Sequence, residues 1–465
     1  MKYPHIFLIA FIFWLLASCK NPKSSQTSYP EVDALFTERI AKDEPGCALA
    51  IIRDGEITYQ KGYGMANLDY EIPLSPSSVF RIASVSKQVT AACIHLLAQE
   101  GKLSLDDDIR KYFPDLPDYG YTITIRHMIH HTSGLRDYVN LFYLAGFSDD
   151  DHYSDEELLQ MIFRQKALNF PPGEEFLYCN SGYFLLGQIV GQVSGQNLRA
   201  FAEENIFQPL GMTHTHYHNN HKEVVPDRAM GYSPTKEGYE VAVTTLDMIG
   251  DGGIFTTVGD YSKWGENYDH HKVGGEKLYK AMVTRGILNN GDTLTYASGI
   301  DVDRYRGLLT FSHGGSWVGY RTYFLHFPEE KLSIIIFANL SSLWPGGLAW
   351  EVADIVLVDK LAPRESFSSP QPEPEEKVEI PAPFMAGLEG TYYSEELDAY
   401  YTISREKDVY QFHAPRLNVS PILTRPSGDM LIQNWITLEV DKVGADIRGL
   451  NMGADRVKNI YLEKQ

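Results

Sequence analysis

Cysteine is scarce in this chain, four in 465 residues, and that scarcity excludes a small fold stapled by a disulfide framework. Long apolar runs are missing too. The run near the amino end extends only from Ile6 to Leu16, short of the roughly 20 residues a helix needs to cross a bilayer. Positive charge is in deficit, with 41 Lys and Arg against 61 Asp and Glu for a net charge of -20. Such a surface repels phosphate backbones and anionic lipid, so no nucleic-acid partner is expected. Composition does not point to disorder either, since 43% hydrophobic and 22% charged residues are ordinary globular usage. The length suffices for two folded units and a large core.

Against that background three short stretches stand out: Ser84-Val85-Ser86-Lys87, Tyr178-Cys179-Asn180 and His313-Gly314-Gly315. A hydroxyl near its free pKa is a poor nucleophile, and it needs a base within reach and donors for the oxyanion formed on attack. The three stretches hold each of these parts. Context selects them over rival copies, because Ser-x-x-Lys recurs at Ser233–Lys236 and Ser404–Lys407, and Tyr-x-Asn at Tyr138–Asn140 and Tyr217–Asn219. Ser84 opens a run with Val85, Val89, Ala92 and Leu96 at helical spacing, which predicts a helix with Ser84 on its first turn. An i, i+3 pair shares a helix face, so the Lys87 amine reaches the Ser84 hydroxyl, and free N–H groups at a helix start favour negative charge. The rival serines precede a proline-containing turn and a strand-like alternation.

Further motifs surround these: Val79-Phe80-Arg81-Ile82-Ala83, His131-Thr132-Ser133-Gly134-Leu135, Pro172-Gly173-Glu174-Glu175-Phe176, Ser181 to Gly187, and Pro209-Leu210-Gly211-Met212. With them, residues 30–362 resemble the serine β-lactamase and penicillin-binding protein superfamily, in its class C β-lactamase and D-aminopeptidase-like branch. The resemblance implies an α+β, β-lactamase/transpeptidase-like fold, an antiparallel sheet flanked by helices with a helical lobe. It implies that Ser84 attacks a carbonyl while Lys87 and Tyr178 share the proton transfers, and it leaves open which of them is the first base. It implies that Asn180 orients Lys87 and the substrate amide. The oxyanion would sit between the backbone N–H groups of Ser84 and Ser316, with Gly314 and Gly315 allowing a substrate backbone close to the strand.

The chain departs from the β-lactamase pattern at His313, where that pattern has lysine. An imidazole with an unperturbed pKa of about 6.5 is mostly neutral near pH 7, so a permanent charge for a substrate carboxylate is absent at that place. Histidine there is similar to the D-stereospecific peptidases and some esterases. The expected reaction is hydrolysis of a small peptide, amide or ester through an acyl-enzyme, a D-amino-acid peptide being favoured. A β-lactamase or carboxylesterase is the alternative within enzymes, and a penicillin-binding sensor without turnover the alternative of another class.

The flanks carry other expectations. Lys2, the apolar run and Leu16-Ala17-Ser18-Cys19 resemble a lipoprotein processing box, so residues 1–19 read as an export signal, Cys19 as the lipid-modified residue and residues 20–29 as a tether. An exported cell-envelope lipoprotein, held at the membrane through lipid alone, would result. Cys47, Cys93 and Cys179 read as packing residues, with alternation turning Cys179 away from the site.

Strand-like runs at 47–52 and 57–63 around Asp54-Gly55 predict a hairpin. Runs at 320–327 and 332–339 would join it in one antiparallel sheet, with short helices over 31–42 and 348–361. The mostly helical stretch from 105 to 288 would form a second lobe, leaving a cleft between. Residues 363–386, rich in Pro and Glu, predict a linker, and regularly spaced strand runs in 387–465 predict a small β-barrel. That barrel resembles the lipocalin-like domains of D-aminopeptidase-like proteins. His214, His216 and His218, with His221 nearby, would place imidazoles together. With no carboxylate or cysteine at metal-site spacing, they read as a surface cluster, and neither metal nor cofactor is expected.

Overall fold

The computed structural model describes residues 28–364, 387–406, 409–416, 420–421, 423–424, 430–433, 435–444 and 446–465. The export signal, Cys19, most of the tether and most of the linker expected over 363–386 lie outside the described residues. Among those described, no helix is long and apolar enough to cross a membrane.

The first element is helix α1 (Pro30–Thr37), which opens on a proline whose missing N–H is no loss there. It ends sooner than the apolar spacing over 31–42 predicts. Strands β1 (Cys47–Arg53) and β2 (Glu56–Tyr63) follow. Asp54 and Gly55 both have positive φ, 52° and 77°, the backbone a tight two-residue hairpin demands.

The rest of this sheet comes from far along the chain: β3 (Asp301–Tyr305), β4 (Leu308–Trp317), β5 (Tyr320–Phe327) and β6 (Leu332–Ala338). The order is β3-β4-β5-β6-β1-β2, and each neighbour runs antiparallel. β1 and β6 pair inside the sheet, Cys47 opposite Ala338, and every residue of β6 is buried. Alternation divides their side chains between two cores. Leu49, Ile51, Ile334 and Ile336 pack with Val32 and Phe36 of α1 and with Leu348 and Val352 of the closing helix Pro345–Val356. Ala48, Ala50, Ile335 and Phe337 face the helical lobe. Each large side chain so buried contributes about 1.5–3 kcal/mol.

The lobe is built around two helices packed on each other, α2 (Lys87–Gln99) and α3 (Asn180–Ser194). The capping box at Ser154 and Glu157 is formed, as the sequence predicts. A three-stranded ribbon, absent from the sequence reading, pairs Ile254–Thr256 with Phe80–Arg81 and His216–Tyr217. It ties the segment before Ser84 to the loop ending at Gly253.

Among the described residues, the C-terminal unit is one antiparallel sheet of nine strands, curled into a half-barrel where the sequence predicts a small β-barrel. Its edge strands, Ser420–Pro421 and Leu423–Thr424, adjoin in sequence. The lipocalin likeness has no further observation behind it. The unit docks on the helical lobe: Tyr401 Oη donates to the Leu144 carbonyl at 2.8 Å, and the buried Arg136 pairs with Glu396 at 2.5 Å.

Candidate active site

Ser84 sits in a 3₁₀ turn, Ala83–Ser86, that feeds α2. Ala83 takes φ 48°, a left-handed conformation that costs a non-glycine residue of order 1 kcal/mol or more. The surroundings hold it there. Ile82 N donates to the Ile254 carbonyl at 2.9 Å, and Ile82 O accepts from Thr322 Oγ1 at 2.8 Å. One turn on, Lys87 is fully buried. Its amine lies 3.1 Å from Ser84 Oγ and 2.8 Å from Asn180 Oδ1, and it also meets the Asp251 carbonyl. Burial pushes the Lys87 pKa down to about 8, although the charges of Asp251 and Asp137 pull the other way.

Tyr178 lies across the amine, with Lys87 Nζ 4.9 Å from its ring centroid. Its hydroxyl is buried without a partner at hydrogen-bond geometry. Burial holds the phenol well above the usual tyrosine range, and the nearby Ser84 hydroxyl opposes that push. Asn180 opens α3, and its backbone N–H donates to the buried Asp137 carboxylate at 2.6 Å. The side chain therefore presents Oδ1 to Lys87 while the residue lines the cleft. Cys179 points away, as predicted, with Sγ 3.3 Å from the Leu135 carbonyl and its thiol pushed up to about 12 by burial.

The last stretch enters on β4. Strand β3 pairs with β4 only as far as Ser312, so from His313 to Trp317 the strand has one neighbour, β5. Its free edge faces the Ser84 turn, and Gly314, Gly315 and Ser316 line the cleft. The two glycines differ. A Cβ on Gly315 would stand 2.2 Å from Thr322 Oγ1 and 2.3 Å from Ile82 O, whereas one on Gly314 would meet nothing nearer than 3.5 Å. Gly315 thus admits the protein's own backbone, and only Gly314 leaves room toward the cleft.

His313 is buried and neutral, its pKa brought to about 3 by burial and then by Lys87. Its Nδ1 lies 2.6 Å from the Gly314 carbonyl and its Nε2 3.1 Å from Tyr296 Oη. A carbonyl only accepts, so Nδ1 carries the proton and Nε2 accepts from the tyrosine. Both nitrogens are engaged within the protein. The imidazole holds strand and loop together while its ring lines the cleft.

These groups line a cleft of about 690 Å³ between sheet and lobe. Gly250-Asp251-Gly252-Gly253 reads in the sequence as a backbone loop near the cleft, and Asp251 and Gly252 do line it; the neighbours that brace the site carried less sequence signal. Asp251 accepts from Tyr138 Oη at 2.9 Å and offers its carbonyl to Lys87; the rival Tyr138–Asn140 copy thus braces the site from beside it. Buried His131 packs 4.2 Å from the Tyr178 ring and accepts from Cys179 N at 3.0 Å. Arg456 comes from the C-terminal sheet. Its guanidinium stands 4.8 Å from the Tyr178 ring centroid, and its carbonyl is held by Asn169 Nδ2 at 2.9 Å. The arrangement brings together a serine hydroxyl, a buried amine with a lowered pKa, a buried phenol and a guanidinium at the cleft wall.

The Beta-lactamase family model matches residues 32–357. A D-aminopeptidase of Gluconobacter oxydans is 29% identical over 297 residues, 63% of this chain and 56% of that protein, so the chain spans little more than half of that relative's length. Penicillin-binding protein 4* of Bacillus subtilis is 28% identical over 332 residues, 68% of this chain and 72% of that protein. Among solved structures, the octameric penicillin-binding protein homologue from Pyrococcus abyssi superposes with a TM-score of 0.65 at 24% identity, covering 93% of this chain and 99% of that one. At that identity the likeness is one of fold.

Proposed function

Because this chain belongs to the beta-lactamase family, we propose that it is a serine hydrolase that forms an acyl-enzyme on Ser84 from a small peptide, amide or ester. The observation that carries the reading is the buried Lys87 amine held between Ser84 Oγ and Asn180 Oδ1. With its pKa near 8, about a tenth of Lys87 is neutral near pH 7. The Tyr178 phenol stays protonated. We therefore assign Lys87 as the acylation base and Tyr178 as the donor to the leaving group. Ser84 Oγ attacks the carbonyl carbon as its proton passes to Lys87. The oxyanion is received by the Ser84 and Ser316 N–H groups, and collapse expels the amine or alcohol, protonated through Tyr178. Water then repeats the sequence on the acyl-enzyme.

D-Amino-acid peptides and amides are the substrates we favour, in keeping with the D-aminopeptidase relatives. Arg456 supports a second reading, a substrate with a carboxylate near the scissile bond, since a guanidinium lines the cleft where His313 supplies no charge. Ser84→Ala tests the core of the proposal. Turnover and covalent labelling by an activated phosphonate should both vanish while the melting temperature stays near that of the wild type. Labelling at normal stoichiometry would place the nucleophile elsewhere, and labelling of the wild type without turnover would mark a penicillin-binding sensor. The lipid anchor at Cys19 belongs to the same proposal: Cys19→Ser should move the protein from the membrane to the soluble fraction, and retention with membranes would remove the anchor from it.

A further inference from the structure

The histidine-rich stretch differs from the surface cluster the sequence suggests. His218 is buried, and the fold brings carboxylates to two groups of imidazoles: His216 and His218 with Glu223, and His152 and His221 with Asp247. Within each group the candidate ligand atoms lie within 4.8 Å of one another. Charge decides between the two. Glu223 is already bound at both oxygens by Arg199, at 2.5 and 2.8 Å. His218 packs 4.6 Å from the Phe255 ring, over which Arg81 and Arg228 also lie. Although His218 Nε2 is buried without a partner, three guanidinium groups around that point repel a dication.

The second group has the opposite field. It opens on a cavity of about 350 Å³ whose lining includes Asp155, Asn197, Asn219 and Asp247 and neither Lys nor Arg. The imidazoles are also oriented. His152 Nδ1 lies 2.8 Å from the Thr245 carbonyl, so that nitrogen donates and Nε2 keeps a bare lone pair. His221 Nδ1 lies 2.9 Å from Asp247 Oδ2, and the His221 backbone N–H donates to Oδ1 of the same carboxylate. The Thr245 carbonyl thus fixes the His152 ring for ligation through its other nitrogen, and an ion held between His221 Nδ1 and Asp247 would take the place of the proton that now joins them. The two rings stand 5.4 Å apart.

We propose that His152, His221 and Asp247 bind a divalent metal ion of zinc type, with the remaining positions taken by water or Asp155 from the cavity. Zinc bonds to nitrogen and oxygen at about 2.0–2.2 Å, so ligand atoms now within 4.8 Å need only small side-chain rotations to close on an ion. The site would anchor the loop that runs from Thr245 through Asp247 to Asp251, whose carbonyl meets the Lys87 amine. It does not rest on the hydrolase reading.

The test uses the untagged full chain, stripped with a chelator and titrated with zinc alone. One saturable zinc per chain is expected, with a rise in melting temperature, and cobalt in its place should give the visible absorption of a low-coordinate site. His152→Ala should weaken binding by about tenfold or more. His152 is exposed, so that variant keeps the fold, which its unaltered metal-free melting temperature would verify. Asp247→Asn should act in the same direction, and His216→Ala should leave binding unchanged. Absence of saturable zinc binding, full binding by His152→Ala, or loss in His216→Ala alone would each overturn the assignment.

Discussion

Lys87 is a cation placed where water is excluded, with a carbonyl, an amide oxygen and a hydroxyl as its near partners. Burial costs the charged form more than the charges of Asp251 and Asp137 return, which brings the amine down to about 8 from its ordinary 10.5. If it is the base, kcat/KM for a neutral ester should rise with pH along a limb centred near 8, because the neutral amine is the active form and grows tenfold per pH unit below its pKa. Lys87→Met should abolish the limb together with the activity. A wild-type profile flat through that region would remove Lys87 from the role. His313 shows a different residue-scale logic, since its two nitrogens are engaged by Gly314 and Tyr296 while its ring lines the cleft.

At the scale of elements, the site is a meeting of a turn and a strand edge. The Ser84 turn and β4 approach so closely that only glycine fits at position 315. Gly315→Ala should push the strand from the turn. We expect a loss of about 1–3 kcal/mol in stability, the usual cost of overpacking, and a loss of kcat well beyond that of Gly314→Ala, whose Cβ meets nothing nearer than 3.5 Å. Urea unfolding and ester turnover on the two variants check this; equal behaviour would mean the approach is not tight. The free edge over 313–317 exists because β3 stops pairing at Ser312. A longer β3 would cover the strand edge that carries Ser316, whose N–H is proposed to receive the oxyanion.

At the scale of the whole molecule, the C-terminal sheet is part of the cleft wall. It is pinned by the buried Arg136–Glu396 pair and by Lys458 N donating to Asn169 Oδ1 at 2.7 Å, and its turn between Ala454 and Val457 delivers Arg456 to Tyr178. If Arg456 reads a substrate carboxylate, Arg456→Ala should lower the kcat/KM ratio of a carboxylate-bearing substrate to its methyl ester by about tenfold, the 1.4 kcal/mol of a partly solvated charge contact. Arg456→Lys should restore part of it. A ratio unchanged in both variants would leave Arg456 as packing against the tyrosine ring.

What the sequence determined by itself is local: the hairpin at Asp54-Gly55, the Ser84–Lys87 pairing within one turn, the capping box at Ser154, and the outward turn of Cys179. Each follows from a period or a dihedral preference spanning a few residues. The family resemblance added the sheet that joins both ends of residues 30–362, which no local pattern encodes. Only the tertiary structure decided the rest. Arg456 reaches the cleft from a segment without a periodic signal, Tyr296 meets His313, which turns both nitrogens inward, and Glu223 and Asp247 join histidines that look partnerless in sequence. The physical reason is common to all of them. Hydrogen bonds and charge contacts between segments far apart in the chain depend on where packing brings their backbones, and the residue types alone do not specify that meeting.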